Sequence, residues 1–343
     1  MKKKDITALQ SALASAKKIT IVSHYNPDGD AVGSALALFH FLNAKGFEVN
    51  VVLPNEFPDF LKWMPASGQI IVAENDKDKA KKVVKEADML FITDMNAPHR
   101  SGKILENAII KSDAFKVLID HHLAPDIEVD VMLSTVKTSS SCELVYRLLF
   151  DYLKEKNALS LEIATCLYVG IITDTGSLTY SCNDPKTYAI LNKLIKKGVD
   201  GEDTHRKIYD NYAESRIHLL GLSLQRMRIL NEYATAYIYL SSQDLKDNDY
   251  KMGDTEGFVN YGLTIKTVQF AAIFIQRGEK VRISFRSKGN FDVNQFARKH
   301  FNGGGHRNAA AAYHNDTLEN TKAYFESILP QYQKELLKPY QEK

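Results

Sequence analysis

Cysteine is scarce in this chain of 343 residues: Cys142, Cys166 and Cys182 are the only three, and no two form a CxxC pair. That count and spacing exclude a disulfide framework and a zinc–thiolate site, so each reads as a small core residue. Charge of one sign is also scarce. Lys and Arg number 44 against 42 Asp and Glu, a formal net charge of +2. Without a basic surplus there is no whole-molecule field to hold long duplex DNA or RNA, although a local basic groove stays open. No apolar run approaches the roughly 20 residues of a membrane span. The basic start Met1-Lys2-Lys3-Lys4-Asp5 is not followed by an apolar signal core. A cytoplasmic protein with no membrane partner is expected. Internal repeats and low-complexity segments are likewise missing.

What is present is ordinary in bulk: 44% hydrophobic and 25% charged residues, the composition of a globular protein. The length predicts two domains. The first half alternates strand-like with helix-like segments. Residues 19–22, 47–53, 87–93, 115–119 and 129–133 read as strands, and 31–45, 76–86, 141–156 and 160–173 as helices. Such alternation predicts a mostly parallel α/β sheet. Residues 186–230 read as almost wholly helical, broken near 198–202, and serve as a connector. Strands are expected again at 235–240 and 281–287, with a helical or mixed segment between them. A second, smaller α/β domain is expected from about residue 214.

The most informative run is Ser23-His24-Tyr25-Asn26-Pro27-Asp28-Gly29-Asp30-Ala31-Val32-Gly33-Ser34, which follows the first strand. It places one imidazole and two carboxylates within seven residues, donors that suit divalent cations. Asp28 and Asp30 alone also suit an Asx turn around Gly29. Two later strands end in similar chemistry, at Asp94 and at Asp120-His121-His122. In open α/β sheets function gathers at the carboxyl ends of strands, so three matching ends point to one site. A helix over 160–173 delivers Asp174 into a Thr/Gly/Ser-rich turn. Four separated aspartates with His24 and His121 supply enough donors for two divalent ions about 4 Å apart, which need a shared carboxylate. The oxygen and nitrogen donors favour Mn²⁺, with Mg²⁺ or Co²⁺ also accommodated.

A second glycine-rich segment, Phe301-Asn302-Gly303-Gly304-Gly305-His306-Arg307-Asn308, precedes four alanines. Exposed glycine amides, a helix beginning near Asn308, His306 and Arg286 together suggest an anion site. The alternation over 281–287 puts Arg282, Ser284 and Arg286 on one face.

The Ser-His-x-x-Pro-Asp-Gly-Asp-Ala-x-Gly-Ser run, the isolated Asp94, the Asp-His-His triplet and the helix-borne Asp174 together resemble the DHH phosphoesterases. Gly-Gly-Gly-His after an Arg-Ser strand resembles the associated DHHA1 domain. The likeness spans roughly residues 5–335, with the motifs in family order. It implies a DHH domain over 1–190, a helical linker over 191–213 and a DHHA1 domain over 214–343, with the active site in the cleft between domains. It implies that His24, Asp28 and Asp94 hold one metal, and that Asp30, Asp94, His121 and Asp174 hold the other. His122 and Asp120 become catalytic, Asp120 supporting the histidines. Arg286, Gly303, Gly304, Gly305 and His306 bind a substrate phosphate. The stand-alone two-domain form resembles the bifunctional oligoribonucleases that also remove the 3′-phosphate from adenosine 3′,5′-bisphosphate. Short single-stranded RNA or DNA and nucleoside bisphosphates are then the expected substrates, and a homodimer the expected assembly. Linear or cyclic di-AMP hydrolysis, pyrophosphate hydrolysis and a non-enzymatic nucleotide- or RNA-binding regulator are the alternatives.

Overall fold

The computed structural model describes residues 1–210 and 212–338. It divides into two compact units, Met1–Asn211 and Tyr212–Lys343. Residue 211 of the expected linker and 339–343 of the expected second domain lie outside the described residues.

The first unit carries strands β1 (Lys18–Val22), β2 (Glu48–Leu53), β3 (Ile71–Val72), β4 (Met89–Thr93), β5 (Phe115–Asp120) and β6 (Val131–Ser134). Its helices are α1 (Lys3–Ser15), α2 (Gly29–Ala44), α3 (Lys77–Lys85), α4 (Gly102–Ile110), α5 (Ser141–Tyr146), α6 (Leu161–Asp174), α7 (Pro185–Lys196) and α8 (Gly201–Tyr209). The strand order is β3-β2-β1-β4-β5-β6 with every pair parallel. Alternate residues of β1, β4 and β5 feed two cores. Ile19, Ile21, Met89, Phe91, Val117 and Ile119 pack with α2, α5 and α6. Val22, Leu90, Ile92 and Leu118 pack with Ala80 and Val84 of α3 and Leu105 and Ile109 of α4. Burial on both faces explains why these strands read as near-continuous apolar runs.

Helices α2 and α6 approach closely because small residues meet there. A Cβ on Gly33 of α2 would lie 2.6 Å from Cys166 O of α6, and one on Gly170 of α6 would lie 2.1 Å from Cys142 Sγ of α5 and 2.9 Å from Asp30 Oδ1 of α2. Helices α7 and α8 fall in the first unit, where the sequence suggested a connector. Ile190, Leu191, Leu194, Val199 and Ile208 join its core, which anchors this stretch by burial.

The second unit begins with α9 (Glu214–Gln225), then β7 (Arg228–Leu230), β8 (Thr235–Leu240), α10 (Ser242–Asp247), α11 (Phe258–Leu263), β9 (Phe270–Arg277) and β10 (Lys280–Ser287). It continues with α12 (Val293–His300), β11 (Asn302–His306), β12 (Ala309–His314) and α13 (Leu318–Ile328). The sheet is mixed, in the order β11-β12-β10-β9-β8-β7, with β8 and β9 parallel and the other pairs antiparallel. Strand β7 ends a stretch that the sequence pattern reads as helical, and two further elements differ from the expectation. Strand β9 is interior to the sheet, where a helical or mixed segment was read. Its alternate residues enter two cores, Phe270, Ala272 and Phe274 in one and Ala271, Ile273 and Ile275 in the other. The alanines after Asn308 form β12 and not a helix, because Ala310 and Ala312 bury against the sheet while pairing holds them extended. Much of the phenylalanine complement is core: Phe270, Phe274, Phe285, Phe296 and Phe325 are all but unexposed.

Candidate metal centre

The chain runs outward from β1 on one side of the first sheet and from β4 on the other. This order reverses between the adjacent strands β1 and β4, and a crevice opens at such a switch point. His24 follows β1, Asp94 follows β4, and β5 ends at Asp120 with His121 and His122 behind it. Asp94 takes φ +55°, the left-handed region that Asp tolerates better than most side chains, and its N–H donates to Ile119 O at 2.9 Å.

The two carboxylate oxygens of Asp94 face different partners. Oδ2 lies 3.3 Å from His24 Nε2, which is itself 3.9 Å from Asp28 Oδ1. Oδ1 lies 3.4 Å from His121 Nε2, which is 3.4 Å from Asp174 Oδ2 and 3.8 Å from Asp30 Oδ2. The structure therefore brings together all six residues expected to ligate metal. Asp94 is the member common to the groups His24-Asp28-Asp94 and Asp30-Asp94-His121.

The positions are fixed from behind. Asp28 caps α2, its Oδ1 accepting from the N–H groups of Asp30 and Ala31 at 3.0 Å each, so the Asx reading holds and the same oxygen stays 3.9 Å from His24 Nε2. Asp30 accepts from Ser141 N at 2.6 Å and Cys142 N at 2.8 Å. Ser141 Oγ donates to Asp94 Oδ1 at 3.0 Å. Asp120 holds His122 twice, through Nδ1 at 2.8 Å and the backbone N–H at 3.0 Å. His122 Nδ1 also lies 3.5 Å from Asp94 Oδ1.

Burial and mutual charge set the protonation of this cluster. Burial, with the charges of Asp94 and Asp174, holds the Asp30 carboxyl well above its ordinary range. Burial also acts to raise Asp94, but hydrogen bonds from His121 and His24 outweigh it and hold Asp94 well below. His24 and His121 are pulled down by burial, yet the neighbouring carboxylates leave His24 raised and His121 well above an ordinary imidazole. Burial pushes Asp120 up to about 6 and His122 well below its usual value. Such a cluster strongly favours positive charge among its carboxylates, and its oxygen and imidazole donors fit divalent cations.

Sequence reasoning missed the Ser141 and Cys142 amides and Arg100. The Ser139-Ser140-Ser141 run before a helix is the available signal for the amides, since Ser140 accepts from Glu143 N as an N-cap. No sequence pattern marks Arg100, whose charge lowers both His24 and His122. The three cysteines are buried and unpaired, as their spacing suggests.

In the second unit, Arg286 pairs with Ala309 across β10–β12, and Ala309 pairs with His306 across β12–β11. Directly opposed residues share one face of a sheet, so Arg286 and His306 flank a small alanine on the same side. The glycines serve the backbone more than expected. A Cβ on Gly303 would lie 2.3 Å from Ala311 O, and Gly305 takes φ +150°. The Gly305 N–H already donates to Asn294 Oδ1 at 3.0 Å, so it does not point at an anion. Asn308 closes the turn through Ser287 Oγ at 2.9 Å.

These features define a two-unit α/β protein with an acidic, imidazole-bearing cluster at a sheet switch point. The DHH family N-terminal domain matches residues 18–171, and the DHHA1 domain matches 231–332. A crystal structure of an exopolyphosphatase-related protein from Bacteroides fragilis is 40% identical, covers 98% of both chains and superposes with a TM-score of 0.94. A Streptococcus mutans protein named probable bifunctional oligoribonuclease and PAP phosphatase NrnA is 28% identical over 326 residues, 94% of this chain and 98% of its own length. A Thermus thermophilus RecJ structure with Mn²⁺ shares the fold at 14% identity and a TM-score of 0.58, over 99% of this chain and 55% of its own. The chain belongs to the DHH family and carries a DHHA1 domain, the family its motifs resemble. Among the described residues no helix is long and apolar enough to cross a membrane.

Proposed function

We propose that this protein is a phosphoesterase dependent on two divalent cations, Mn²⁺ preferred, that hydrolyses short oligoribonucleotides and the 3′-phosphate of adenosine 3′,5′-bisphosphate. The observation that carries the reading is Asp94, whose Oδ2 faces His24 while Oδ1 faces His121. His24, Asp28 and Asp94 would hold one ion, and Asp30, Asp94, His121 and Asp174 the other. When bound, such a pair activates water as a nucleophile near neutral pH and neutralises phosphoryl charge. Imidazole in both donor sets favours Mn²⁺ over Mg²⁺, with Co²⁺ also compatible.

The chain's own groups do the rest. His122, oriented at Nδ1 by Asp120, would lie beside the attacking water, and as a neutral imidazole its free Nε2 would accept a proton there. Arg286 and His306 bind a second phosphate or the 5′ end of a short chain, with Gly303 and Gly304 lining the approach. The near-neutral net charge suits short substrates. The named activities of the Streptococcus mutans relative support the same substrate class.

The test is a Mn²⁺-supplemented assay against di- to pentanucleotides, adenosine 3′,5′-bisphosphate, linear and cyclic di-AMP, and pyrophosphate. Turnover of the short RNAs and the bisphosphate is expected. Pyrophosphate as sole substrate, or no hydrolysis of any phosphoester, would overturn the reading.

A further inference from the structure

Glu143 lies in α5, two residues beyond Ser141, and is completely unexposed. A charged side chain buried outright is costly unless well bonded. Its Oε2 accepts three hydrogen bonds: Ser139 Oγ at 2.8 Å, Ser139 N at 3.2 Å and Thr187 Oγ1 of α7 at 2.8 Å. Arg147 Nη1 lies 3.9 Å from Oε1. Ser140-Ser141-Cys142-Glu143 has the S-x-x-E spacing of a capping box, and Ser140 Oγ does accept from Glu143 N at 3.1 Å. In an ordinary box the glutamate reaches back to the N-cap amide. Here it reaches one residue further, to Ser139, and also ties in a second helix.

The segment so fixed is the one that grips the metal-site carboxylates. Ser141 N and Cys142 N donate to Asp30, and Ser141 Oγ donates to Asp94. These two aspartates are only 1% and 2% exposed, so solvent does not stand in for the Ser141 and Cys142 donors. A neutral cap would suffice to start a helix; a buried carboxylate anchored to α7 sets where that helix starts.

We propose that Glu143 is a positioning residue for the cation site: with Thr187 it locks the 139–141 segment so that Asp30 and Asp94 present their oxygens to metal. The proposal rests on the two-ion reading of the cluster. Glu143 touches neither substrate nor metal in this account.

Glu143→Gln, Thr187→Val and Thr187→Ser test it by Mn²⁺ titration without substrate, followed by electron paramagnetic resonance, beside thermal melts of the metal-free proteins. Supporting partners of metal ligands are typically worth about 10–100-fold in metal affinity. Glu143→Gln is expected to weaken the ion held by Asp30 by about that factor while remaining folded. Thr187→Val should act in the same direction, and Thr187→Ser should restore wild-type affinity. Wild-type Mn²⁺ affinity in folded Glu143→Gln overturns the proposal. If that variant does not fold, unchanged affinity in Thr187→Val overturns it instead. A wild-type chain that binds two ions but cleaves no phosphoester defeats the proposed activity and leaves the Glu143 result standing.

Discussion

Arg286 and His306 sit in one cross-strand row of the second sheet, on the two strands that flank β12, with Ala309 between them. Neighbouring strands are about 4.8 Å apart, so the two side chains can flank a single anion only if the middle residue is small. Ala309→Leu should fill that gap. The expected outcome is a raised KM for adenosine 3′,5′-bisphosphate, with kcat and the circular dichroism spectrum little changed. An unchanged KM would count against the row as a substrate site.

If Arg286 grips a substrate phosphate as proposed, Arg286→Ala removes a charge-assisted partner worth about 1.5–3 kcal/mol. Steady-state kinetics should therefore show KM rising about 10–100-fold while kcat falls much less. A loss confined to kcat would assign Arg286 to the chemistry and not to binding.

Metal affinity should rise with pH. Metal needs neutral imidazoles, and the carboxylates hold the protons on His24 and His121 to higher pH than usual. Below their raised pKa values protons compete with the cation; above them the competition ends. For each proton displaced, affinity should climb about tenfold per pH unit, with proton release in calorimetry across buffers of different ionisation enthalpy. Affinity flat between about pH 6 and pH 8 would contradict this.

Gly170→Ala inserts a methyl group 2.1 Å from Cys142 Sγ and 2.9 Å from Asp30 Oδ1. Overpacking of this kind costs about 1–3 kcal/mol, measurable by urea denaturation. Because the clash reaches Asp30, Mn²⁺ binding should weaken as well. Wild-type stability would mean that α6 separates from α5 and α2 more easily than their packing suggests.

Five of the six strands of the first sheet were legible because parallel strands packed in a core leave short apolar runs, and each of β1, β4 and β5 ends in a polar signature at His24, Asp94 and Asp120; the two-residue β3 is too short to leave one. Strand β9 was not, since an apolar stretch such as Phe270–Ile275 carries no period that separates strand from helix. The alanines of β12 misled for a related reason: Ala favours helix locally, and only pairing with β10 and β11 holds them extended. At the site, the clustered carboxylates and imidazoles announced themselves by chemistry, whereas the Ser141 and Cys142 amides belong to backbone and leave only a serine run behind. Gly305 read as an anion cradle because sequence shows that a backbone is bare, and not that Asn294 already occupies its N–H.

The proposed function turns on one carboxylate, that of Asp94, shared between two ions. The most direct measurement is Mn²⁺ electron paramagnetic resonance on the wild-type chain and on Asp94→Asn, with turnover followed in the same samples. The wild type should bind two ions per chain with the spectrum of a coupled pair. Asp94→Asn should lose that coupling and more than about 100-fold of activity, beyond what a supporting residue is worth. Two uncoupled ions in the wild type, or near-normal turnover in the variant, would contradict it.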